Sequence, residues 1–238
     1  MKLNLFIAKS GCCSRRNAAL LIKDGKVTVN GKPVLEPWFE ISNGDAVKAR
    51  GKLLNAEKQV YILFNKPRGV TATCEDKFAE EKITDLIPKR FGRVYPVGRL
   101  DKNSRGLIIL TNDGELCHRC THPRFEVEKE YIVTIEGDAE ESIIKKLIRG
   151  VDDYGEILKV RSASIEKKWS NRTQLNVIIR EGKKRHLRRL FEALGYKVLD
   201  LLRIRIGRVN LGDMKEGSLR LVDKKFIYSG AVPDRHIM

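Results

Sequence analysis

The sequence predicts an α+β fold in two parts: a small basic α/β module at the N-terminus, then a larger domain on a mixed, mostly antiparallel central sheet flanked by helices and loops. Three observations carry that expectation. Apolar, strand-like runs recur from residue 60 onward, helical patterns fall between only some of them, and residues 1–50 carry a helix pair and a hairpin of their own. Strict alternation of strand and helix would predict a doubly wound parallel sheet, and that alternation is missing.

In the first module, Leu3, Phe6 and Ile7 mark one face of a short helix that Gly11 can end. Ser14 suits the N-cap of a second helix, with Ala18, Leu21 and Ile22 inward and Gly25 after the last turn. Val27-Thr28-Val29-Asn30-Gly31-Lys32-Pro33-Val34 follows, and Asn-Gly between alternating residues is the strongest short hairpin signal. Asn43-Gly44-Asp45 turns into a strand over 46–49. Residues 51–58 are polar and read as a linker, so the second domain is expected over 59–238. Its strands are expected at 60–64, 94–97, 107–110, 131–135, 158–165, 175–179 and 198–206, and its helices at 115–120, 139–148 and 184–194. Neither an internal repeat nor a low-complexity segment is visible.

The 238 residues carry 47 Lys and Arg against 31 Asp and Glu, a net charge of +16, and 42% hydrophobic residues, enough for a sizeable core. Such an excess of cations attracts phosphate backbones. An acidic membrane is the rival partner, but no apolar stretch is long enough to span one and no lipidation motif occurs. The apolar part of the N-terminus is too short for a signal peptide. The five cysteines are odd in number and lack disulfide-like spacing, so free thiols in a reducing cytoplasm are expected. Residues 1–52 hold ten basic and four acidic side chains. Lys9, Arg15, Arg16, Lys23, Lys26 and Lys32 are candidates for one basic face, against the plainer reading of a solvated helix surface.

Four segments are candidates for chemistry. Pro96-Val97-Gly98-Arg99-Leu100-Asp101 sets a carboxylate on a short connection just before the apolar strand in Ser104-Arg105-Gly106-Leu107-Ile108-Ile109-Leu110. Read alone, Asp101 is a turn aspartate. Residues 180–208 hold ten basic and three acidic side chains, and Arg180 to Phe191 has Arg on several sides of a helix whose Leu187, Leu190 and Phe191 face inward. Such a helix touches phosphate or holds a carboxylate in place. Tyr131 opens a strand after Glu128-Lys129-Glu130, where a core or edge tyrosine is the plainer reading. Phe64-Asn65-Lys66-Pro67-Arg68-Gly69-Val70 runs from a strand into what is, on spacing alone, only a turn.

Together these segments resemble the pseudouridine synthases of the RsuA/RluB/RluF class, which modify ribosomal RNA. The likeness spans nearly the whole chain. Residues 1–50 look like an S4-type RNA-binding domain. Asn65-Lys66-Pro67-Arg68-Gly69, Gly98-Arg99-Leu100-Asp101 with Gly106-Leu107 and Thr111-Asn112-Asp113-Gly114, Glu128-Lys129-Glu130-Tyr131, and Glu181-Gly182 through Arg188-Arg189 match the family's motifs in order, followed by Arg203-Ile204-Arg205-Ile206-Gly207. This chain departs from the family at His186, usually Gln, and at Leu190, usually Met. Leu for Met nearly conserves volume. A histidine gains charge close to neutral pH, which a glutamine does not.

The resemblance implies uridine isomerisation: the N-glycosidic bond breaks, the uracil turns and rejoins through C5, with no redox partner, nucleotide or metal. Asp101 would be the essential carboxylate, attacking sugar or base or removing a sugar proton. Arg188 would pair with it and keep it charged. Tyr131 would stack on the uracil and take part in removing the C5 proton. Leu187 would form the apolar floor, Arg99 would lie near the displaced backbone, Arg185 would bind substrate, and Lys66 would support the pocket. The uridine would be flipped out of its stack. The expected partner is ribosomal RNA, with a lean to the large subunit, free or partly assembled. The chain would act as a monomer in the cytoplasm. A noncatalytic RNA-binding or ribosome-assembly factor is the alternative; it would not need Asp101 and Arg188 together. Cys117-His118-Arg119-Cys120-Thr121-His122 offers possible zinc ligands without a second knuckle, so inward packing is preferred and no metal is expected. Asp152-Asp153 reads as a turn.

Overall fold

The computed structural model describes residues 1–74 and 80–230. The chain forms two compact units, Met1–Gln59 with Lys89–Arg93, and Val60–Pro88 with Val94–Met238. The first unit thus takes in a short piece from the middle of the second unit's sequence.

The first unit pairs helices α1 (Leu3–Lys9) and α2 (Arg15–Lys23) with strands β1 (Val27–Val29), β2 (Lys32–Pro33), β3 (Val47–Ala49) and β4 (Lys52–Leu53), in sheet order β2-β1-β3-β4. The Ser14 hydroxyl accepts the Asn17 N–H at 3.2 Å, the cap expected of it. Asn30 and Gly31 both take positive φ, 51° and 81°, so the β1–β2 hairpin closes on a turn whose twist suits the strands. Leu3, Ile7, Ala18, Ile22, Val27 and Val47 fill the core. Residues 51–58 are not a free linker. Lys52–Leu53 pairs with β3, and the Glu57 N–H donates to the Lys9 carbonyl, so the polar stretch completes this unit.

The second unit is built on a nine-stranded sheet. Its main path runs β11 (Ser162–Trp169), β12 (Arg172–Ile179), β8 (Lys129–Glu136), β13 (Val198–Ile206), β7 (Arg105–Thr111), β5 (Tyr61–Lys66) and β15 (Leu219–Val222). Strand β6 (Tyr95–Pro96) pairs with β7, and β14 (Val209–Asn210) with β13. Among these pairs only β13–β7 is parallel. A hairpin of β9 (Val151–Asp153) and β10 (Glu156–Leu158) stands apart, and helices α3 (Gly114–Thr121), α4 (Ser142–Arg149), α5 (His186–Ala193) and α6 (Lys224–Ser229) flank the sheet.

One core unites Tyr131, Val133, Leu175, Leu187, Leu190 and Phe191 with α4; another unites Leu63, Leu107, Ile109, Leu116 and Phe226. Three expectations need correcting. The strand over 158–165 is two strands, because the Val160 N–H turns to the Leu147 carbonyl at the end of α4. Asp152-Asp153 lies in β9, not in a turn. Helix α5 starts at His186 rather than 184, because Arg185 takes a left-handed conformation at its N-cap.

Candidate active site

Asp101 opens the turn before β7, where the Ser104 N–H donates to the Asp101 carbonyl at 3.0 Å. Two cations hold this turn by its backbone. Lys66, at the end of β5, is fully buried and donates to the carbonyls of Pro67 (2.7 Å), Lys102 (3.3 Å) and Ser104 (2.7 Å). Three acceptors for three protons define an ammonium, not an amine. Burial pushes its pKa down to about 8, while Asp101 and Glu216 pull the other way. Arg188, on α5, donates to the carbonyls of Asn103 (2.9 Å) and Val198 (3.2 Å) and to Ser104 Oγ (3.4 Å). Its Nε is buried without a hydrogen bond and faces Asp101 Oδ2 at 3.9 Å. That is an ion pair longer than a hydrogen bond.

The carboxylate looks into a cavity lined by Arg99, Leu100, Asp101, Tyr131, Arg185 and Leu187, with Ser104, Ile179, Gly182, Lys183, His186 and Leu201 completing its walls. Five of the seven side chains expected at the site line this one cavity, and the other two, Lys66 and Arg188, hold its turn. Tyr131 and Leu187 are buried and continuous with the core, so the floor is rigid, while Arg99 and Arg185 are exposed at the mouth.

Arg203, Ser104 and Lys183 were not singled out from the sequence. Buried Arg203 donates from Nε to the Leu107 carbonyl (2.7 Å) and from Nη1 to the Tyr131 hydroxyl (3.4 Å). It lay within a quoted motif, but its role depends on the β8–β13–β7 register, where Arg203 faces both Tyr131 and Gly106. Gly106 has φ +107°, and a Cβ there would stand 2.3 Å from the Arg203 carbonyl oxygen, so the parallel crossing requires glycine. Lys183 gave no signal beyond charge. It donates to the Ile157 carbonyl (2.8 Å).

His186 is buried, and its Nε2 lies 3.0 Å from the Lys159 carbonyl. A carbonyl only accepts, so Nε2 carries the proton and the partnerless Nδ1 is a bare acceptor. Burial pushes its pKa below the ordinary histidine value. Burial thus favours the neutral ring.

Other motif residues build structure. Asp113 caps α3 and accepts from the Tyr61 hydroxyl (2.8 Å) and Lys224 Nζ (3.0 Å). Burial pushes its carboxyl up, but these bonds outweigh that and hold it low. Asn112 Oδ1 accepts the Val60 N–H. Glu130 joins Arg205, and Asp200 joins Arg105 and Arg68. Cys117 and Cys120 pack against the core, His118 and His122 meet the Phe125 ring edge to face, and no group of three metal-ligating side chains occurs among the described residues. In the first unit Lys9, Arg15, Arg16, Lys23, Lys26 and Lys32 are all exposed, and Lys26 pairs with Asp24 at 3.2 Å. No helix among the described residues is long and apolar enough to cross a membrane.

A carboxylate held on a clamped turn thus shares one cavity with a tyrosine and a leucine beneath two exposed arginines. Residues 60–193 match the RNA pseudouridylate synthase family and residues 1–47 the S4 domain. The chain is 36% identical over 222 residues to ribosomal large subunit pseudouridine synthase B of Bacillus subtilis, covering 92% of this chain and 91% of that one. It is 37% identical over 231 residues to the dual-specificity RNA pseudouridine synthase RluF of Escherichia coli, covering 95% and 77%. A solved pseudouridylate synthase superimposes with a TM-score of 0.68 at 31% identity over 96% of this chain and 99% of that one. The chain belongs to the RNA pseudouridylate synthase family, with an S4 domain at its N-terminus, and is an isomerase that turns uridine into pseudouridine.

Proposed function

We propose that this chain modifies a specific uridine of ribosomal RNA, acting as a monomer in the cytoplasm on large-subunit RNA that is free or partly assembled. The names of the Bacillus subtilis and Escherichia coli relatives support RNA as substrate, and the first of them supports the large subunit. The observation that carries the reading is the convergence of Asp101, Tyr131 and Leu187 on one cavity, with the Arg188 Nε 3.9 Å from the carboxylate.

In this reading, residues 1–50 hold the RNA, with Lys9, Arg15, Arg16, Lys23, Lys26 and Lys32 against its backbone. The target uridine leaves its stack, where unpaired segments make the cost lowest. Its base lies between Tyr131 and Leu187, and Arg99 and Arg185 hold the displaced phosphates. Asp101 is the reacting carboxylate. The N1–C1′ bond breaks, the uracil turns, and a C5–C1′ bond forms. Tyr131 assists the loss of the C5 proton, and N1 gains one proton to end as a ring N–H, so the product keeps the atoms and charge of the substrate. Bound substrate draws the Arg188 guanidinium the last ångström onto Asp101, since catalytic contacts tighten when the site fills. Lys66 positions the turn and does not react.

Asp101→Asn is expected to keep folding and RNA binding while abolishing release of C5 tritium from labelled ribosomal RNA transcripts. Release at the parent rate would dismiss Asp101 from the reaction. Mapping pseudouridine in ribosomal RNA from cells with and without the chain names the target.

A further inference from the structure

A second cavity, of about 450 Å³, lies beside the first in the same unit. The two share a wall. Glu181 lines one and its neighbour Gly182 the other, and the Lys159 carbonyl, from the second cavity, takes the His186 hydrogen bond from the first. The back of the second cavity is apolar: Val160 is buried, Ile148 is 44% exposed, and Pro123 stands at its edge.

Its cations are of two kinds. Arg180 is taken up by Glu126 and Glu128, and Glu181 by Lys183. Lys159 and Arg161 are exposed, and among the described residues neither side chain has a carboxylate partner. The backbone carrying them is fixed on both sides: the Val160 N–H bonds the Leu147 carbonyl at 3.0 Å and the Arg161 N–H bonds the Ile178 carbonyl at 2.7 Å. Two cations without a carboxylate partner among the described residues thus rise from fixed backbone beside an apolar wall, one residue away from the cavity that faces Asp101.

We propose that this cavity receives the nucleotide next to the target uridine, its base against Ile148 and Val160 and its phosphate on Arg161 and Lys159. The inference rests on the first cavity being the uridine site. Extruding one nucleotide leaves its neighbour with an uncovered base face. Single strands are held by an apolar or aromatic platform for the base and a cation for the phosphate. The cavity's size lies within the range of about 300–1,000 Å³ usual for small-molecule sites. The subsite makes the sequence beside the target part of what the enzyme reads.

The test measures binding of the full chain to the mapped ribosomal RNA transcript, intact or with an abasic residue at either neighbour of the target. The parent chain should lose affinity roughly ten-fold at one neighbour. Arg161→Ala should weaken binding of the intact transcript and lower the slope of log affinity against log salt by about 0.7. Ile148→Ser should erase the difference between intact and abasic RNA while keeping the salt slope. If Ile148→Ser retains the full abasic loss, or Arg161→Ala leaves affinity and slope unchanged, the subsite is wrong while the uridine site stands. A parent chain that forms no pseudouridine in any ribosomal RNA overturns both readings.

Discussion

At the scale of single residues, Asp101 is placed by groups remote in sequence. Arg188 reaches it through the carbonyl of Asn103 as well as by charge, and Lys66 grips the carbonyls of Lys102 and Ser104 from beneath. A lysine cannot reproduce the planar fork of Arg188. Arg188→Lys should therefore keep the fold and lower kcat about a hundred-fold, the usual effect of an ångström of misplacement, measurable under single-turnover conditions. Lys66→Met leaves the buried Ser104 carbonyl without its lysine donor, while the Lys102 carbonyl keeps the Gly69 N–H, and should lower stability by about 2 kcal/mol in urea unfolding. His186 gives a pH dependence. Its folded pKa lies below the ordinary 6.5, so the unfolded chain takes up a proton that the folded one refuses. Stability is fully present above pH 6.5 and falls as pH drops below it. His186→Gln should remove that loss, and a pH series of unfolding midpoints checks it.

At the scale of elements, Gly106 marks where β7 and β13 run parallel at close quarters. Gly106→Ala brings a Cβ against the Arg203 backbone at an unfavourable φ and should cost at least about 3 kcal/mol, read by thermal or urea unfolding. Elements with a strong local signature were legible in the sequence. The Asn30-Gly31 hairpin, the Ser14 cap and the apolar runs of β7, β8 and β13 follow from turn chemistry and periodicity. Strand β15 and helix α6 were not anticipated, because Leu219–Val222 becomes a strand only by pairing with the edge of β5. The split between β10 and β11 depends on a distant partner, the Leu147 carbonyl. The same limit applied at the site. Motifs singled out Asp101, Tyr131 and Arg188 as candidates, but the place of Arg203 behind the tyrosine exists only in the sheet register.

At the scale of the whole molecule, a net charge of +16 makes RNA affinity strongly dependent on salt. If Arg15 and Arg16 each neutralise one phosphate, the double change to alanine should lower the slope of log affinity against log salt by about 1.4, with turnover at saturating RNA unaffected. The division of the chain adds a constraint of a different kind. The N-terminal unit includes Lys89–Arg93, where Gly92 packs against the Glu57 carboxylate. A growing polypeptide that has passed Gln59 therefore still lacks a part of its first module until residue 93 emerges, about 2–7 s later at ordinary translation speeds. Cutting the gene after codon 59 would leave that module missing a piece, and deleting the first 59 codons would strand the same piece on the remaining domain.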